Sequence, residues 1–165
     1  DIVSLDIYYQ SYRPMEKYVE ALNWHRSFAM AHGKPIGVPE WGFHAKSTSL
    51  ESIQAEESPE WIELMYCWLS SLPAKGPGSL AYHQFFEHSK GAMIGGKLID
   101  GQVKVVKLMP KSFDRFTELF CNGGQPVDPP DWGELFPLEN SDFEEQKAQP
   151  DASHGPGTAG AAPAQ

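Results

Sequence analysis

Two kinds of apolar rhythm alternate along the first 86 residues, and that alternation restricts the chain to a few architectures. From Ile2 to Tyr9 the side chains Val3, Leu5, Ile7 and Tyr9 alternate with Ser4, Asp6 and Tyr8, the period of a strand with one greasy face. After Arg13-Pro14 the spacing changes: Met15, Tyr18, Val19, Leu22 and Ala29 recur at helical intervals, and Gly33 follows as a C′ residue, predicting a helix over 14–32. Lys34 to Pro39 is a second apolar run. Pro39 has no N–H for a ladder, so this strand is expected to stop about there, with Glu40 at its C-terminal end.

Ser58-Pro59-Glu60 then supplies an N-cap, an N1 proline and a first-turn acid. The helix it opens carries Trp61, Leu64, Met65, Trp68, Leu69 and Leu72 on one broad face, which makes Trp61 and Trp68 packing residues. The polar stretch from Phe43 to Glu57 before it reads as a long loop. Leu80 to Phe86 is a third strand, Asp100-Gly101 between two apolar runs predicts a hairpin, and Phe113, Phe116, Leu119 and Phe120 form the stripe of a last helix. The order β-α-β-α-β implies a parallel sheet with helices packed on it. At 165 residues the chain is well short of the roughly 250 that a complete (β/α)₈ barrel takes. Its start, inside a β-branched run and without Met, reads as a cut through a longer protein.

Charge separates body from tail. Residues 1–121 hold 12 bases and 14 acids, whereas 122–165 hold one base, Lys147, and eight acids. No Lys/Arg cluster marks a nucleic-acid or membrane partner, and no 18-residue apolar run spans a bilayer. Cys67 and Cys121 are too few for a disulfide framework and read as buried thiols, with one bridge between them left open. His25, His32, His44, His88 and His154 have no metal-ligand spacing, so neither metal nor cofactor is expected. Trp132, Leu135, Phe136 and Leu138 suggest a partly packed extension over 123–140, and the Pro/Ala/Gly-rich remainder, 141–165, a disordered tail or linker.

In parallel α/β sheets, functional groups collect at the C-terminal ends of strands. Those ends carry Asp6, Tyr8 and Tyr9, then Glu40 and Trp41, then His83, Gln84 and Phe86. A carboxylate, a phenol able to bind it and nearby aromatics suit a sugar site, with the rings stacking on pyranose C–H faces. Asp6 reads more readily as a pairing or capping group than a catalytic one, and His83 as a satisfied histidine. Trp41 is either platform or wall, and one of Tyr8 and Tyr9 must be core because they alternate faces.

The run Gly33-Lys34-Pro35-Ile36-Gly37-Val38-Pro39-Glu40-Trp41-Gly42-Phe43 resembles the seventh-strand signature of clan A glycoside hydrolases, most closely the family 26 mannanase type. There a GKPI segment leads into E-[WF]-G, and the Glu is the nucleophile of a retaining mechanism. Val3-Ser4-Leu5-Asp6-Ile7-Tyr8 is similar to the sixth strand of those barrels, Ala81 to Phe86 to the eighth, and Met109 to Phe113 to the start of the last helix. The resemblance implies that 1–122 is the C-terminal part of a (β/α)₈ barrel, about its last three βα units. It implies Glu40 as nucleophile and Tyr8 as its hydrogen-bonding partner, with Trp41, Tyr9, Asp6, His83, Gln84 and Phe86 as substrate contacts. The family's eighth strand usually ends in Trp where Phe85 or Phe86 stands here. Its acid/base comes from a fourth strand, outside these residues.

The partners expected are therefore a β-linked polysaccharide or oligosaccharide and the N-terminal half of the barrel. The alternative is a non-catalytic hydrolase-like module of a phage tail or cell-surface protein that binds carbohydrate. A flavodoxin-like sheet would fit the alternation too, but no Gly-rich phosphate loop is present.

Overall fold

A computed structural model describes residues 1–46, 49–87 and 92–124. The strands β1 (Val3–Tyr9), β2 (Ile36–Phe43) and β3 (Leu80–Phe85) form one parallel sheet in the order β1-β2-β3. Helix α1 (Met15–Ala31) connects the first pair. A short helix α2 (Leu50–Ala55) and the longer α3 (Pro59–Ser71) connect the second. β4 (Ile94–Ile99) and β5 (Gln102–Lys107) make a separate antiparallel hairpin, and α4 (Pro110–Phe116) runs into a π-turn over Thr117–Cys121. The chain is thus a mixed α/β protein with a three-stranded parallel sheet and a two-stranded antiparallel one. The extension and tail expected over 123–165 lie outside the described residues from 125 onward.

Local chemistry sets most of these boundaries. Gly33 ends α1 at φ +65°, the left-handed conformation a side chain disfavours. The Ser58 hydroxyl accepts from the Trp61 N–H at 3.2 Å and caps α3, with Pro59 inside the first turn. Asp100 and Gly101, at φ 52° and 74°, close the hairpin with the left-handed pair a two-residue turn needs. The interval read as a plain loop contains α2, capped by Ser49 through the Ser52 N–H at 3.2 Å. Its single buried apolar residue, Ile53, leaves too little periodicity to announce it. Cys121 is exposed and Cys67 only half-buried, both as free thiols, which corrects the expectation of buried ones.

The principal correction concerns β2. The strand does not stop at Pro39 but passes through it to Phe43. Between Ser4 and Asp6 β1 advances two residues while β2 advances three, from Gly37 to Glu40. Against β3, Val38 to Trp41 spans His83 to Phe85 in the same way. One extra residue is therefore accommodated around Pro39, where the missing N–H costs no ladder bond. The bulge shifts the phase of the strand. Ile36 and Val38 are buried before it, and Trp41 and Phe43 after it.

All helices that pack on the sheet do so on one side. Tyr9 stacks on Trp61 of α3 and lies 5.9 Å from Tyr18 of α1, while Trp41 meets Trp61, Phe116 and Phe120. The indole N–H of Trp61 donates to Gly42 O at 3.0 Å, fastening α3 to β2. Farther out, Arg115 joins α4 to α3 through Glu63 at 2.7 Å and also holds Glu118 at 2.6 Å. The Glu57 carboxylate accepts from the Lys111 and Ser112 N–H groups and caps α4. The opposite side of the sheet has no helix among the described residues.

Candidate functional site

Strand alternation and the β2 bulge together decide which candidate residues meet. On β1, Ile7 and Tyr9 point to the helices, so Asp6 and Tyr8 point to the open face. On β2 the bulge puts Trp41 on the helix side and leaves Glu40 and Gly42 on the open side. On β3, Phe85 packs on Trp41 and Phe116, so Gln84 faces the opening. Asp6 and Glu40 are register partners on adjacent strands.

The Tyr8 hydroxyl donates to Glu40 Oε2. Burial pushes the Tyr8 phenol well above its ordinary range, and the hydrogen bond to Glu40, the Glu40 charge and then the Asp6 charge push it further. Tyr8 therefore stays protonated and remains a donor through the neutral range. Two rings meet the edges of Tyr8, Phe86 at 6.4 Å and 85° and His44 at 6.4 Å and 65°. The His44 N–H continues the ladder by donating to Tyr9 O at 2.9 Å. A half-buried carboxylate, held by a neutral phenol and framed by aromatic edges, can serve as a nucleophile or as an acceptor for ligand hydroxyls.

The remaining candidates fall on the helix side. Trp41 is 0% exposed, with its ring against Trp61, Phe85, Phe116 and Phe120, so it is wall rather than platform. Tyr9 is the core member of the tyrosine pair, packed on Tyr18, Phe43 and Trp61. His83 is two residues before Phe85, and its Nδ1 accepts from the Trp41 indole at 3.3 Å. Part of its surface reaches solvent. The protein packed around the ring nonetheless holds its pKa below the ordinary histidine value by desolvation, in keeping with a neutral ring that accepts at Nδ1. Of the residues expected to contact substrate, Asp6, Gln84 and Phe86 share the open side with Tyr8 and Glu40, whereas Trp41, Tyr9 and His83 lie on the helix side.

His44, in contrast, was set aside at the sequence level because its spacing suits no metal. Its place beside Tyr8 follows from the ladder continuing one residue past Phe43, which the early stop expected at Pro39 concealed. Tyr82 was also overlooked on the open face, where its ring covers Gly37 so closely that a Cβ there would lie 2.9 Å from it. Among the described residues no group of three or more His, Cys, Asp or Glu side chains is arranged to hold a metal ion, and no helix is long and apolar enough to cross a membrane.

Comparison with known proteins returns no match: no family model, no curated protein and no solved structure is significantly similar to this chain.

Proposed function

We propose that this chain is the C-terminal part of a (β/α)₈-barrel glycoside hydrolase that cleaves β-linked polysaccharide with retention, with Glu40 as nucleophile. The observation that carries the reading is the Tyr8–Glu40 hydrogen bond, made between adjacent parallel strands on the helix-free face toward their C-terminal ends. Tyr8 orients the carboxylate and, being neutral, adds no charge that would compete with an oxocarbenium-like centre. Glu40 attacks the anomeric carbon, the glycosidic oxygen leaves with a proton from the acid/base, and water then releases the sugar from the glycosyl-enzyme ester. The acid/base carboxyl must stand roughly 5–5.5 Å from the nucleophile, and in this reading the N-terminal half of the barrel supplies it. The sheet edges agree with that assignment. β1 and β3 each pair with β2 alone among the described residues, and barrel closure provides each with a second neighbour.

The second reading, a carbohydrate-binding or structural module without turnover, is favoured by one specific feature. On the open face of the described strands Asp6 and Glu40 stand in register on adjacent strands, an arrangement of acceptors that can bind ligand hydroxyls without any bond being broken. One experiment separates the readings. In the intact protein, Glu40→Gln is expected to keep the fold and abolish hydrolysis of β-1,4-mannan, and a mannose-derived epoxyalkyl glycoside is expected to esterify Glu40. Undiminished hydrolysis by the variant overturns the nucleophile assignment. Mannan binding without hydrolysis or labelling in the unaltered protein establishes the second reading.

A further inference from the structure

The turn that follows β1 presents an aromatic ring to solvent on an unusually well-anchored backbone. Gln10 to Arg13 is a β-turn closed by the Arg13 N–H donating to Gln10 O at 2.9 Å, with Ser11 and Tyr12 at its tip. The Gln10 N–H donates to the buried Tyr18 hydroxyl at 2.7 Å. The Ser11 N–H donates to Glu56 at 2.8 Å, a carboxylate only 3% exposed and carried by the segment after α2. The Arg13 guanidinium lies over the Tyr18 ring at 4.8 Å. The residues flanking Tyr12 are thus tied to Tyr18 of α1 and to Glu56, while Tyr12 itself is 63% exposed.

The side chain is oriented as well as its backbone. The Tyr12 hydroxyl donates to Gln10 Oε1 at 2.5 Å, and the Lys46 ammonium sits 4.7 Å from the ring centroid. Lys46 belongs to the segment leaving β2, the same segment that places His44 beside Tyr8. A large ring held in solvent by a bond at its hydroxyl and an ammonium over one face loses little conformational freedom when a ligand covers its other face. Amide and ammonium groups beside such a ring suit a neutral, hydroxyl-rich ligand with apolar C–H faces, which is the chemistry of a pyranose. Tyr12 is four residues beyond Tyr8, no more than about 14 Å along the backbone, so one oligosaccharide can touch both.

We infer that Tyr12, Gln10 and Lys46 form an outer sugar subsite on the rim, where a pyranose stacks on the face of Tyr12 opposite Lys46 while another unit of the same chain lies at Glu40. The inference rests on the proposed carbohydrate reading, and its test is read separately from Glu40 labelling. The intact protein is titrated with β-1,4-mannobiose and β-1,4-mannohexaose by calorimetry, because only the longer ligand can reach both places. The hexaose is expected to bind more tightly than the biose. Tyr12→Ala is expected to weaken the hexaose about five- to tenfold and leave the biose unchanged, the size of one lost aromatic contact. Tyr12→Phe, which keeps the ring and loses the Gln10 bond, is expected to retain most of the affinity, and Tyr12→Trp to equal or exceed it.

Equal affinities for the two ligands, no binding of either, or a Tyr12→Ala variant that binds hexaose normally overturns the subsite, and so does a Tyr12→Phe loss as large as that of Tyr12→Ala. Should Tyr12→Ala fold poorly, the Phe and Trp variants still decide between ring and hydroxyl. Labelling of Glu40 without any length dependence removes the subsite and spares the nucleophile. Length dependence that requires Tyr12 without Glu40 labelling does the reverse.

Discussion

The two faces of the parallel sheet are built from the same three strands and behave as different materials. The helix side carries Ile7, Ile36, Val38, Trp41 and Phe43, all buried, and its energy is that of apolar surface withdrawn from water. The open side carries Ser4, Asp6, Tyr8, Glu40 and Gln84, and its one strong feature is a phenol bound to a carboxylate. Stability and chemistry are therefore separated by the alternation of the strand. At β2 that separation depends on one residue being taken up in the bulge, because unbroken alternation from Val38 with Pro39 still in the strand would put Glu40 in the aromatic layer and Trp41 in water.

Breaking the helix side has the largest effect. Trp41→Ala removes a fully buried indole that touches α3, β3 and α4, and is expected to lower unfolding free energy by about 3–5 kcal/mol in chemical denaturation. A loss as small as that of an exposed residue would show that the aromatic layer is not the core.

Deleting Pro39 tests the link between the faces. Removing the extra residue restores plain alternation, in which Val38 and Trp41 remain on the helix side and Glu40 stays opposite Asp6. The deletion is expected to cost about 1 kcal/mol, far less than Trp41→Ala. It should also leave the Tyr8 phenol protonated beyond the ordinary range, as read from the ring carbon shift in NMR. Collapse of the fold, or an ordinary Tyr8 titration in the folded deletion variant, would refute this phase argument.

The smallest effects are electrostatic, and they have opposite pH dependence on the two faces. The folded Tyr8 pKa is raised above its ordinary 10.0, so its contribution is complete below pH 10 and is lost as pH rises through the higher folded value. Tyr8→Phe should remove that part of the alkaline decline. The folded His83 pKa is lowered below 6.5, so its contribution is present above pH 6.5 and is lost as pH falls through the folded value. His83→Gln should flatten the acid limb and leave the alkaline one alone. Stability profiles from pH 4 to 11 that do not separate in this way would contradict the assignment of the two residues.

Much of this arrangement was legible before any coordinates. The β-α-β-α-β order followed from apolar period alone, the ends of α1 and α3 from Gly33 and Ser58-Pro59, and the hairpin turn from Asp100-Gly101, because each depends on neighbours a few residues away. The pairing of Tyr8 with Glu40 entered only through a resemblance, and the geometry agrees with it. What misled was the rule that proline ends a strand, which holds where a ladder bond must be made and fails where a bulge removes the need for one. Trp41 beside Glu40 stayed open between platform and wall because adjacency in sequence says nothing about which face a side chain takes.

The amino-acid order by itself determined the three strands and two longer helices of the first 86 residues, the ends of those helices and the acidic bias beyond residue 121, since propensity, capping and charge are local. Only the tertiary structure decided that Glu40 and Trp41 part company, that His83 accepts the Trp41 indole N–H, and that Tyr12 stands anchored at the rim. Those outcomes depend on register between strands and on contacts such as Ser11 with Glu56, 45 residues apart, where burial in three dimensions outweighs any preference written along the chain.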